Sequence, residues 1–426
     1  MQLARIRNAA GIFAAALACS SPQVLGADSQ EDRIKELEEK VEALTRSLET
    51  SAGAATTVDA AATEKEVEEM KEQIEALTEA VDETEGRDSK WDRLHIGGYG
   101  ELHYNNLNAE DPENDKRELD FHRFVLYLGY DFTDRLRFYS ELEFEHAFQD
   151  EGEWELEQAY VQYDITRNQD ILGGIYLLPV GILNPTHEPT TFYGVERNDV
   201  ENIIIPTTWW AGGANYQLRF GEGFTWDFGI HEGLKIPTSG SNAFRVRSGR
   251  QKTGKAVVND GAGTTRLKYT GFPGLELGVA FQYQADASQE SGDGLDSGTL
   301  VSAHAMYNYR MFTIRGLYGR WDFQGDAVKA AGANVQQGWY VEPSVKWWSN
   351  TFAPYLKDKL GFYYRYEDIP DAARAQDEFN QWEVGFNYWP HPDVVLKFDY
   401  RDRTHADASQ RGKDFTGFDL GLGYTF

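Results

Sequence analysis

The stretch 135–145 alternates between apolar and charged side chains almost residue by residue. Leu136, Phe138, Leu142 and Phe144 fall on one side, and Arg137, Glu141, Glu143 and Glu145 on the other. Successive side chains of a strand point to opposite faces, so this pattern prescribes one greasy and one charged face. It recurs at 393–401, where Val394, Leu396, Phe398 and Tyr400 oppose Lys397, Asp399 and Arg401. It recurs again at the carboxy terminus, through Phe418, Leu420, Leu422, Tyr424 and Phe426.

A soluble β-sandwich would alternate too, and three features favour a transmembrane barrel over it. Strands of roughly 10–14 residues exceed the usual length of about 5–6 and suit a tilted membrane crossing. The apolar faces are rich in aromatics, as in the girdles at membrane interfaces. Short connections (131–134, 166–170, 221–223, 271–274, 389–393) alternate with long ones (107–118, 181–206, 235–261, 286–298, 324–337, 368–378, 404–413). The fold class read from this is all-β: a closed antiparallel barrel of about 16 strands over residues 89–426. An even count puts both ends on the periplasmic side, with the long loops outside. A closed barrel leaves no unpaired edge in hydrocarbon, and this size leaves room for water inside.

The amino-terminal part reads differently. Arg5 and Arg7 precede the apolar run Ala9–Cys19, which is too short for a spanning helix and has the form of a secretory signal, so residues 1–27 are expected to be a signal peptide. Cys19 is the single cysteine, which excludes disulfides, cysteine-based zinc sites and a cysteine nucleophile from the folded part. Residues 28–88 are expected to form a periplasmic α-helical coiled-coil arm. Ile34, Leu37, Val41, Leu44 and Leu48 make one heptad seam, and Val67, Met70, Ile74, Leu77 and Val81 a second. Thr63 and Glu66 supply a capping box before the second seam. Each seam is too short to be a stable helix alone, which points to association, although a helix pair folded on itself would use the same residues.

The formal net charge of −28, from 41 Lys+Arg and 69 Asp+Glu, argues against a nucleic-acid partner. No Gly-x-Ser-x-Gly or phosphate-loop pattern occurs, so neither catalytic residues nor a cofactor are predicted and the chain is read as a non-enzyme.

The connection 181–206 is the third external loop, between the fifth expected strand (169–180) and the sixth (207–220). Loops this long are commonly functional. Phe192, Tyr193 and Ile203–Ile205 favour packing, so the loop is expected to fold into the barrel and anchor to its wall. The run 173–181, Gly-Gly-Ile-Tyr-Leu-Leu-Pro-Val-Gly, followed by His187-Glu-Pro and by Phe-Tyr-Gly-Val-Glu-Arg at 192–197, resembles bacterial outer-membrane porins of the phosphate-selective porin O and P family. The resemblance spans residues 91–426. It implies a sixteen-stranded barrel, a homotrimer, and a third loop that narrows the pore. It also implies that the terminal Phe426, with Tyr424, is read by the barrel assembly machinery.

The expected function is therefore passive diffusion of small hydrophilic solutes or ions across the cell outer membrane, with anions such as phosphate among the candidates. The alternative is a structural or adhesive barrel with a plugged lumen and an envelope-tethering arm. Candidate constriction residues are His187, Glu188, Glu196 and Arg197 on the loop. Candidate pore-lining residues are Arg123, Arg219, Arg266, Lys268, Arg315 and Arg365, each in the inward phase of its strand. Acidic residues such as Glu141, Glu143, Asp227, Glu342, Glu383 and Asp399 share that phase, so cross-strand pairing competes with pore lining for each. His187 and Glu188 are metal-ligand types, but no second histidine lies nearby and a structural or constriction role is preferred. Arg245, Arg247, Arg250, Lys252 and Lys255 cluster in the fourth long loop, either as an anion funnel, as a contact for lipopolysaccharide phosphates or as a merely solvated group. Outer-membrane lipids are the remaining expected partner. Deleting residues 28–85 is expected to lower the cross-linked oligomer; an oligomer unchanged by the deletion would remove the arm from assembly.

Overall fold

The computed structural model describes residues 91–146, 152–348 and 359–426. The expected signal peptide and coiled-coil arm lie outside these residues. His95–Phe426 form one compact unit. It holds sixteen strands: β1 (Leu94–Ala109), β2 (Lys116–Asp131), β3 (Leu136–Glu145), β4 (Trp154–Thr166), β5 (Gln169–Leu177), β6 (Trp210–Phe220), β7 (Phe224–His231), β8 (Ala262–Tyr269), β9 (Leu275–Gln284), β10 (Gly298–Tyr309), β11 (Phe312–Phe323), β12 (Val335–Trp348), β13 (Lys359–Asp371), β14 (Phe379–His391), β15 (Val394–His405) and β16 (Phe415–Thr425).

Each strand is hydrogen-bonded to its sequence neighbours, and β16 returns to β1, so the sheet closes into a barrel. The closing pair is antiparallel, with Leu102 opposite Leu422 and Tyr99 opposite Thr425. Gly98 and Phe426 exchange backbone hydrogen bonds of 3.0 and 2.9 Å at the end of this seam. On the other side of β1, a Cβ on Gly98 would stand 2.1 Å from the Val125 carbonyl oxygen of β2, so glycine is needed there for β1 to approach β2.

The expected alternation sets which side chains face in and which face out. On β9, Leu277, Val279, Phe281 and Tyr283 are exposed on the outer wall, whereas Gly278, Ala280, Gln282 and Gln284 are buried within. The outer wall carries rings in contact along strand pairs, such as Phe386–Phe398 (5.5 Å between centroids) and Phe398–Phe418 (6.3 Å). A soluble protein would hide such rings; hydrocarbon accepts them.

Two boundaries differ from the expected ones in a way that matters. β5 ends at Leu177 and β6 begins at Trp210, so the third loop runs over 178–209. Asn184 causes this: its Nδ2 donates to the carbonyls of Leu178 and Trp209, and its Oδ1 accepts from the Trp209 amide at 2.6 Å. A side chain thus bridges the two loop ends where strand pairing stops. A basic residue on the outer wall should be costly: V279R is expected to destabilise the folded barrel by about 2–4 kcal/mol, the cost of arginine near a bilayer midplane. Urea titration in lipid vesicles measures this, and a stability equal to that of the parent would mean that Val279 does not face hydrocarbon.

Candidate functional site

The loop 178–209 lies against the inner wall, and its backbone groups are met there by side chains of the strands. Four loop carbonyls accept from the described wall residues: Tyr193 O from Arg365 Nη2 (2.6 Å), Phe192 O from Asn387 Nδ2 (3.0 Å), Ile204 O from Trp321 Nε1 (3.0 Å) and Thr190 O from Trp389 Nε1 (3.3 Å). Three loop amides donate to wall carboxylates, Val195 to Asp399 (2.7 Å) and Asp199 and Val200 to Glu367 (2.7 and 3.4 Å). Buried backbone without water must find such partners, and these wall residues supply them. Tyr193 stacks on Tyr363, at 5.0 Å between centroids, and meets Trp389 edge-on. The expected anchors Phe192, Tyr193 and Ile203–Ile205 therefore do pack against the wall.

Inside the loop, Glu201 is the hub. Its Oε1 accepts from the amides of Ile182 (2.6 Å) and Leu183 (2.7 Å), and its Oε2 from Tyr340 Oη (2.9 Å) and Asn198 Nδ2 (3.2 Å). The side chain is fully buried. Gly181 turns beside it with φ +73°, and a Cβ there would stand 2.5 Å from Glu201 Oε1. Around the hub, Val180, Ile182, Val200 and Ile203–Ile205 join an apolar cluster with Ile236, Phe244 and Val246 of the connection 232–261 and with Trp321, Phe323 and Phe379 of the wall.

The inward-facing charges are mostly paired. Arg123 lies 3.2 Å from both Glu101 and Glu143. Arg266 pairs with Asp227 (2.7 Å), Arg315 with Glu342 (2.7 Å), and Arg365 bridges Glu342 (2.8 Å) and Glu383 (3.1 Å). These four arginines are buried. Arg219 pairs with Asp170 at 2.8 Å and Lys268 with Glu276 at 3.8 Å, and both bases stay partly open to solvent, at 42% and 28% side-chain exposure. They sit near the short-turn ends of β6 and β8, together with the paired Arg137 and Asp164. The wall is thus driest at the level of the loop and wetter towards the turns.

On the loop, Glu196 accepts from Asn105 Nδ2 at 3.0 Å and lies 3.3 Å from His103. Arg197 presents Nε and Nη2 without a hydrogen-bond partner, and its charge acts on Arg247 and Arg250. Those two arginines donate to the carbonyls of Thr207 and Thr208, so this part of the basic cluster of the fourth long loop turns inward onto the third. Glu188 is buried next to His187. His187 lies 3.4 Å from both Glu141 and Glu157. Burial opposes a charge on its ring, but the two carboxylates overcome that and raise its pKa to about 10. Tyr424 and Phe426, by contrast, sit on the outer wall, where Phe426 stacks on Phe124 at 6.0 Å.

Sequence reasoning passed over Asn184, Asn198 and Glu157. The first two act through loop contacts that no periodicity encodes. Glu157 sits at a bulge, where pairing steps from Glu141–Gln158 to Leu142–Leu156 and strict alternation fails.

No protein-family model matches the chain. An uncharacterized protein of Aquifex aeolicus (strain VF5) is 32% identical over 340 residues, spanning 73% of this chain and 76% of that one. Among solved structures, the anion-selective porin from Comamonas acidovorans aligns with a TM-score of 0.54 at 15% identity, covering 78% of this chain and 99% of its own. Salmonella typhi OmpF in complex with daunomycin gives 0.52 at 12% identity, covering 78% and 97%, and Pseudomonas putida OprB gives 0.51 at 11%, covering 81% and 97%. At such identities the likeness shows a shared porin-type barrel fold.

Removing the hub carboxylate should free the loop. E201A leaves buried donors unpaired and is expected to cost about 3 kcal/mol, a hundredfold or more in local opening. Amide exchange at Ile182 and Leu183 reads this directly, and unchanged protection would show that Glu201 does not hold the loop.

Proposed function

We propose that this chain, which belongs to the same protein family as the uncharacterized Aquifex aeolicus protein, is an outer-membrane channel for passive diffusion of small hydrophilic solutes. One observation carries the reading: the barrel is inverted, with an apolar outer wall and an inner wall lined by charged and polar side chains. A lumen of that kind suits water and small solutes, and the loop 178–209 acts as its constriction. Tyr424 and Phe426 serve as the assembly signal at the seam strand.

Selectivity is weak in this reading. A phosphate filter needs unpaired inward arginines, and Arg123, Arg266, Arg315 and Arg365 are engaged by carboxylates. The partly exposed bases Arg219 and Lys268 are balanced by Asp170 and Glu276. The residual field comes from Arg197 on the loop, whose Nε and Nη2 lack a hydrogen-bond partner, and from Lys397 on β15, whose Nζ lacks one as well. The plugged, structural barrel is favoured by a separate observation, the apolar cluster that joins the third loop to the connection 232–261 and the wall.

Planar-bilayer recording separates the two. The channel reading expects discrete conductance steps, a reversal potential near zero in a salt gradient, and a shift towards cations in R197Q. Folded protein that inserts without conductance would overturn it in favour of the plugged barrel. A strongly anion-selective reversal potential would overturn the weak selectivity.

A further inference from the structure

Three buried atoms converge where the inner loop meets β3 and β4. His187 Nε2 stands 3.4 Å from Glu141 Oε1 and 3.4 Å from Glu157 Oε2, and none of the three has a hydrogen-bond partner. The residues are 3%, 1% and 0% exposed.

The direction of the imidazole is set from behind. Its Nδ1 lies 3.2 Å from the Asn184 carbonyl oxygen, which can only accept. The neutral ring therefore carries its hydrogen on Nδ1 and turns the Nε2 lone pair towards two carboxylate oxygens; in the imidazolium a second proton takes that place. Three acceptors facing one another in a dry site require a cation between them.

The spacing distinguishes a metal ion from a shared proton. A charge-assisted N–H···O bond runs about 2.7–2.9 Å, shorter than either contact. Ligand atoms bound tetrahedrally to zinc at roughly 2.0–2.2 Å stand about 3.3–3.6 Å apart, which both contacts match. The outer oxygens of the two carboxylates are also fixed. Gln158 Nε2 donates to Glu141 Oε2 at 2.5 Å, and the Thr208 hydroxyl donates to Glu157 Oε1. Such outer partners are what orient metal ligands. The bulge in β4 supplies the last element, because Glu157 is the residue left without a cross-strand partner and it turns into the site.

We propose that Glu141, Glu157 and His187 bind a divalent transition-metal ion of the zinc type, which pins the inner loop to β3 and β4. Calcium and magnesium prefer all-oxygen shells of six or more ligands, whereas one imidazole with two carboxylates suits zinc and its neighbours. The fourth position is left to solvent.

The test uses full-length folded protein, stripped with a chelator and titrated with Zn²⁺ by calorimetry, with metal content measured after dialysis. Asp120, His122 and His146 form a second group of ligand-type residues, with His146 exposed, and Glu143, Glu155 and Glu157 a third that shares Glu157. All variants therefore carry H146A, and H187Q is the variant that decides, because His187 lies outside both other groups. The H146A protein is expected to take up one zinc per chain, and H187Q and E157Q in that background to lose at least a hundredfold in affinity. Co²⁺ in place of zinc should give visible d–d absorption that disappears in both. Heat-modifiable migration on gels confirms that each variant is folded. If H146A protein takes up no stoichiometric zinc, a proton occupies the site and the metal is excluded. Unchanged uptake in folded H187Q or E157Q would equally overturn the assignment. Metal uptake is read without any current, so failure here and failure of the channel reading are separate results.

Discussion

The hydrogen-bonded seam between β1 and β16 is the contact on which the rest of the barrel depends. Without it, two strand edges would expose unpaired amides and carbonyls to hydrocarbon, where each costs several kcal/mol. Closure of an all-antiparallel sheet makes the strand count even. It also brings distant residues together, so that Gly98 and Phe426 share backbone hydrogen bonds although nearly the whole barrel separates them in sequence. Once the sheet is closed, the two faces of every strand belong to different solvents.

That division explains the interior. Outward positions can be apolar without an opposing layer, because lipid takes the place of a core. Inward positions must manage charge at close quarters. Arg365 does so by bridging Glu342 and Glu383 and by donating to the loop carbonyl of Tyr193. Ion pairs buried this way gain little net stability, since desolvation offsets most of the attraction, but removing one partner is costly. Their use here is positional: the same residues that neutralise the wall also receive the loop backbone.

The loop 178–209 is thus held by two different chemistries. Apolar side chains such as Ile204 and Phe192 give it a burial incentive, while Asp399, Glu367, Asn387 and Trp321 satisfy its amides and carbonyls. Burial alone would leave backbone groups unpaired, and polar contacts alone would not exclude water. The hub at Glu201 closes the loop on itself, so that wall contacts position an already ordered segment.

Much of this is legible in the sequence. The period-two alternation marked strands at 135–145 and 393–401 and assigned Arg315 and Arg365 to the inner face, because parity along a strand is a local property. The length and the Phe192, Tyr193 and Ile203–Ile205 content of the third loop marked it as a packed segment. The partners of those residues were not legible. Pairing Arg315 with Glu342 requires the register between β11 and β12, and bringing His187 to Glu141 and Glu157 requires a loop path and a bulge that breaks the alternation. Periodicity carries the face on which a side chain lies, since that depends on neighbours one or two residues away. Only the closed sheet selects which charges meet, since that depends on strands whose separation in sequence no local rule can bridge.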